Sequence, residues 1–272
     1  MNQKFKASPK LKKWLTWMQA IRDEIQGLVV DANIFWEVQD IIRANPRIQK
    51  PSAFYRYLGR TYLSHALAGL LRQIKPQKDS ISFVGLLGDI LKNPEELSRD
   101  YFRSLCAYPY GPDISQIETE GRNEFEEVGI TGTSKPKDLI KMNDFARYTD
   151  ASGKHVCPTM VEADLKRLKS AVEIHEAIAD KRIAHWDMDD SEDVPTFGEL
   201  DDCMKLLDQT YVKYHFLFYA ESINTTMPTY QFKWKTVFLE PWLKAVAGSA
   251  KGLIHIREDF DDELPDFKEY ME

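Results

Sequence analysis

Arg182 and His185 stand three residues apart in the run Ala179-Asp180-Lys181-Arg182-Ile183-Ala184-His185-Trp186-Asp187. On a helix that spacing puts both side chains on one face. The pair suits a phosphodiester. A guanidinium holds phosphate oxygens in a fork, and an imidazole moves a proton near neutral pH. Each residue also has a purely structural reading. His185 is equally a helix-C-terminal histidine that bonds Asp187 or a backbone carbonyl. Lys181 and Arg182 also read as ion-pair partners of Asp180 and Asp187, and Asp180 reads first as a solvated acid at a helix end.

Long amphipathic helices must position this run. From Leu11 to Asn45, Trp14, Trp17, Met18, Ile21, Ile25 and Leu28 recur at steps of three and four, with Gly27 as a candidate bend. Asn45-Pro46 predicts the stop. Pro51 and Ser52 open a second helix whose pattern is Phe54, Tyr57, Leu58, Tyr62, Leu63, Ala66, Leu70 and Ile74. Ser80 predicts the start of a third, with Ile81, Val84, Leu87 and Ile90 on its apolar face. Asn93-Pro94-Glu95-Glu96 reads as a fresh helix start. Thr159 with Glu162 reads as a capping box, and Val161, Leu165, Leu168, Val172 and His175 then step along one face toward the Arg182 run. A second capping box, Thr196 with Glu199, opens a helix carrying Leu200, Cys203, Leu207, Tyr211, Tyr214 and Phe218.

Residues 106–158 hold many of the prolines and glycines and little periodicity, which predicts a loop-rich insertion. Residues 221–256 form an aromatic-rich extension, and 257–272 an acidic tail expected to be flexible. The expectation is an all-α bundle of four to five long helices over residues 10–220.

The chain has 272 residues, is 43% hydrophobic and carries a formal charge of −7. An acidic balance argues against broad, non-specific nucleic-acid binding, yet leaves room for a local basic pocket. Three widely spaced cysteines, Cys106, Cys157 and Cys203, form no disulfide framework and suit a reducing compartment. The basic start leads into an amphipathic pattern, so no signal peptide is expected, and no run reaches the roughly 20 apolar residues of a membrane span. A cytoplasmic location follows. His155 and Cys157 lack the second ligand pair a closed zinc site needs. No phosphate-binding Gly loop or Ser/His/Asp order is visible, so neither metal nor cofactor is expected.

The long helix ending in Asp180-Lys181-Arg182-Ile183-Ala184-His185, followed by an acidic turn and the capped Thr196-Phe197-Gly198-Glu199-Leu200 helix, resembles the HEPN superfamily. Within it the chain is most similar to the abortive-infection U type. Ile42-Arg43-Ala44-Asn45-Pro46, Leu71-Arg72-Gln73 and Ser80-Ile81-Ser82-Phe83-Val84-Gly85-Leu86-Leu87 add to the likeness, which covers most of residues 10–220. The resemblance implies a small helical bundle of a toxin or antiphage system and a metal-independent RNA-cleaving or RNA-binding activity. It also implies a homodimer that brings two motifs together, with an antitoxin or defence protein as a further partner. It assigns His185 as proton carrier. The family's arginine position falls on or beside Asp180, and Arg182 and Lys181 are the neighbouring cations. His185, Arg182 and Asp180 are thus the candidate catalytic residues. Lys181, Asp187 and Arg72 are the candidate substrate contacts, Arg72 having the alternative of a buried partner for an acid. The competing function is a non-catalytic helical interaction module, an antitoxin partner or scaffold.

Overall fold

The computed structural model describes residues 5–75, 80–107, 136–178, 196–230 and 233–239, with side chains in the third span described for 141–173. The helices are α1 (Pro9–Ala44), α2 (Ala53–Ile74), α3 (Phe83–Lys92), α4 (Arg99–Ala107), α5 (Pro136–Ala146), α6 (Pro158–Ile178) and α7 (Phe197–Tyr219). Among the described residues there are only two isolated bridges, Ser98 with His155 and Thr149 with Val156, and no strand. The fold is all-α.

Helix α1 forms because Leu11, Trp14, Met18, Ile21, Ile25, Leu28, Ala32 and Phe35 fall at alternating steps of three and four, and all eight are buried. Ser8 caps its start by accepting from Leu11 N at 3.0 Å, with Pro9 in the first turn. It runs unbroken through Gly27 and ends at Asn45-Pro46. A Cβ at Gly69 of α2 would collide with the Leu28 side chain, so glycine lets these two helices approach closely.

Side-chain pairs fix the directions. Glu24 meets Arg72, Asp31 meets His65 and Phe35 meets Tyr62, so α1 and α2 are antiparallel. Trp14 meets Phe218, Met18 O accepts from Tyr211 Oη, and Phe35 meets Phe197, so α7 is antiparallel to α1. Ala171 O accepts from the Cys203 thiol and Asp164 accepts from Tyr214 Oη, so α6 is antiparallel to α7. The four long helices are therefore an up-down-up-down set. The shorter α3 packs against α6, α2 and α1. Its Phe83 ring touches Tyr211 and Tyr214, and its backbone N donates to the buried Gln73 at 3.1 Å.

Several helix starts differ from the sequence expectation. Helix α3 is capped by Ser82, which accepts from Gly85 N, and not by Ser80; Ile81 precedes the helix and is exposed. Asn93-Pro94 opens only a 3-10 turn, and α4 begins beyond it, where Ser98 accepts from Tyr101 N. Helix α6 begins at Pro158, so Thr159 lies inside its first turn and does not cap it. The Thr196–Glu199 box on α7 is formed as read. In the interval expected as an insertion, Phe145 of α5 stacks on Phe102 at 4.5 Å and Val156 is buried. Residues 108–135 lie outside the described residues.

The chain divides into two units, Met1–Pro228 and Thr229–Glu272. The helices above belong to the first. The second has one described 3-10 stretch, Trp234–Leu239, in which Trp234 meets Phe238 edge-on at 6.1 Å. The acidic tail lies outside the described residues.

Candidate functional site

His185, Arg182, Asp180, Lys181 and Asp187 all lie outside the described residues. What is described are the two helix ends that bracket them. The described part of α6 runs to Ile178, and α7 opens at Phe197 behind the Thr196 cap. Because α6 and α7 are antiparallel, both ends lie at one end of the bundle, with the close of α1 and the opening of α2.

An aromatic cluster fixes that level. Phe35 and Tyr62 stack at 3.9 Å with 6° between planes, and Phe197 lies 5.1 Å from Phe35 and 5.9 Å from Tyr62. A Cβ on Gly59 would be 3.4 Å from the Phe197 ring, so α7 starts against the first half of α2. The Tyr62 hydroxyl is buried without a hydrogen-bond partner among the described residues. Burial first, then the Asp201 and Asp31 carboxylates, push its ionisation upward, so it stays protonated.

Arg72 is the one predicted contact within the described residues. Its Nη2 lies 2.9 Å from Glu24 Oε2, and the two side chains are 58% and 48% exposed. It is partnered to an acid, but at the surface, not buried. The pair borders an α1–α2 groove of about 910 Å³ that Lys75 and Ser80 also line. Ten residues separate Arg72 from Tyr62, about 15 Å along the helix. Arg72 thus belongs to the middle of the bundle, away from the level where α7 begins.

The same end of the bundle holds cations that the sequence reading passed over. From Ile41 to Leu71 the chain has Arg43, Arg47, Lys50, Arg56 and Arg60, and all 43 acidic residues lie outside that stretch. The signal was legible in the sequence but was averaged into a net −7. Arg47, Lys50, Arg56 and Arg60 are exposed, and the first three form no ion pair among the described residues. Arg56, Tyr57, Arg60, Ser64 and His65 line one stripe of α2 beside a groove of about 800 Å³. Phe54 and Tyr57, expected on the apolar face of α2, are 49% and 64% exposed.

Other candidate groups are engaged elsewhere. His155 Nδ1 lies 3.0 Å from Val156 O, and Cys157 Sγ lies 3.1 Å from Thr159 Oγ1. Among the described residues no three His, Cys, Asp or Glu side chains group as a metal site. Burial, then Asp202 and Glu199, push the Cys203 thiol up to about 11, which makes it a poor nucleophile. Among the described residues no helix is long and apolar enough to cross a membrane. No family model, curated protein or solved structure matches this chain.

Proposed function

We propose that this chain is an RNA-acting protein of HEPN type, of the abortive-infection U kind, working as a homodimer in a toxin or antiphage setting. The observation that carries the reading is the cation-rich first half of α2, against which α7 opens. Helix α7 opens at Phe197 against the first half of α2, on which Arg56 and Arg60 are exposed. A histidine-bearing polar run in the sequence and a surface rich in positive charge each suit a polyanion.

In this reading the ribose 2′-oxygen attacks the adjacent phosphorus. The bond from phosphorus to the 5′-oxygen breaks, leaving a 2′,3′-cyclic phosphate and a 5′-hydroxyl. His185 of one copy takes the 2′ proton, and His185 of the other returns a proton to the leaving oxygen. Arg182 holds the non-bridging oxygens as charge builds on them. The chemistry draws on no metal.

A different reading is favoured by Asp180, an acid at the family's arginine position. It makes the chain a non-catalytic helical interaction module. Incubation of the purified chain with a defined single-stranded RNA in EDTA separates the two. The nuclease reading predicts cleavage with cyclic phosphate ends, reduced at least 100-fold in His185→Ala. Intact RNA, or equal cutting by His185→Ala, leaves the interaction module.

A further inference from the structure

We propose that the α1–α2 turn and the first half of α2 form a binding surface for single-stranded RNA. The inference takes only the choice of RNA from the function proposed above; the surface is argued from its own residues.

Arg47, Lys50, Arg56 and Arg60 supply positive charge in a stretch with no acid of its own. Phe54 and Tyr57 interleave with them and expose much of their rings. This is the composition that holds an unpaired strand: cations follow the phosphates and ring faces stack bases. A duplex offers no free base face to Phe54 and Tyr57, because its bases are stacked on each other. Arg56 lines both the groove of about 800 Å³ and a second one of about 460 Å³ beside Ile42, Lys50 and Pro51. One guanidinium thus stands between two concavities.

The surface is also preorganised. Asn45 Oδ1 accepts from Arg47 N at 3.1 Å. Gln49 Nε2 donates to Ile42 O and Arg43 O at 3.2 and 2.6 Å, and Tyr55 Oη donates to Ile48 O at 2.6 Å. Ser52 caps α2 by accepting from Phe54 N at 3.1 Å. These bonds hold the turn before any ligand arrives, so little ordering entropy opposes binding.

The test is fluorescence anisotropy of a labelled 12-nucleotide oligouridine with the full chain in EDTA. Arg56→Glu with Arg60→Glu is expected to weaken binding at least tenfold and to reduce the slope of log K against log salt by about 1.4. Tyr57→Ala, which touches no charge, is expected to weaken it at least fivefold; it keeps the test decisive if the double reversal fails to fold. Equal affinity of the variants, equal affinity for a 12-base-pair RNA duplex, or binding to phosphatidylserine vesicles without binding to RNA would each overturn the inference. Binding without cleavage upholds it and removes only the nuclease reading. Cleavage unaltered in all three substitutions removes this surface and leaves the nuclease reading standing.

Discussion

The two ends of the helical bundle are built differently. At one end, Trp14 and Met18 of α1 pack with Tyr211, Tyr214 and Phe218 of α7, every ring is buried, and the polar atoms are matched. Trp14 Nε1 donates to Asp89 at 2.9 Å, Tyr211 Oη donates to Met18 O at 3.1 Å, and Tyr214 Oη donates to Asp164, which also pairs with Lys213. At the other end, α1 and α2 reach past the start of α7, and the turn joining them and the first half of α2 expose Ile48, Phe54 and Tyr57 among cations. A bundle needs a sealed core for stability. Exposed rings among cations add nothing to that core.

The comparison is sharpest where a core residue is removed. Trp14→Ala is expected to cost about 3–5 kcal/mol in urea denaturation, since it opens a large cavity and strands Asp89. A loss under 1 kcal/mol would mean that this end is not sealed. Next is Asp208, buried on α7, which accepts from Thr225 Oγ1, Thr226 N and Thr226 Oγ1 at 2.6, 2.8 and 2.6 Å. These bonds tie the chain beyond α7 back onto the helix. Asp208→Ala leaves the Thr226 N–H buried without a partner, and a loss of roughly 3 kcal/mol is expected.

The effects shrink toward the cationic end. Thr196→Ala removes the cap of α7 and half of its reciprocal pair with Glu199, for about 1 kcal/mol. Arg72→Ala breaks only the half-exposed pair with Glu24, so stability should change by no more than about 0.5 kcal/mol. A loss above 1 kcal/mol from Arg72→Ala would show that this half-exposed pair holds α2 to α1.

Helix content was legible where one physical rule acted alone. The three–four spacing of α1 and the Thr196–Glu199 box follow from local periodicity and capping, and both are present. Local rules misread helix starts where two candidates compete. Ser80 and Ser82 both offer a capping hydroxyl, and burial of Phe83 selects Ser82. Pro158 takes the first helical position ahead of Thr159 because its fixed φ suits that place. Phe54 and Tyr57 fit the period of α2 but lie beyond its overlap with α7, which a single-helix pattern does not contain. The candidate site was half legible. Arg182 and His185 show in the sequence through type and spacing, whereas Arg56 and Arg60 gain meaning only once packing sets the first half of α2 against the opening of α7.

Photo-crosslinking of a 12-nucleotide RNA carrying 4-thiouridine, followed by peptide mapping, tests the central claim most directly. RNA acting at the cationic end predicts adducts on peptides that hold Phe54 and Tyr57, lost when Arg56 and Arg60 are reversed to Glu. Adducts confined to α3 and α4, or none at all under conditions where the RNA is bound, would contradict it.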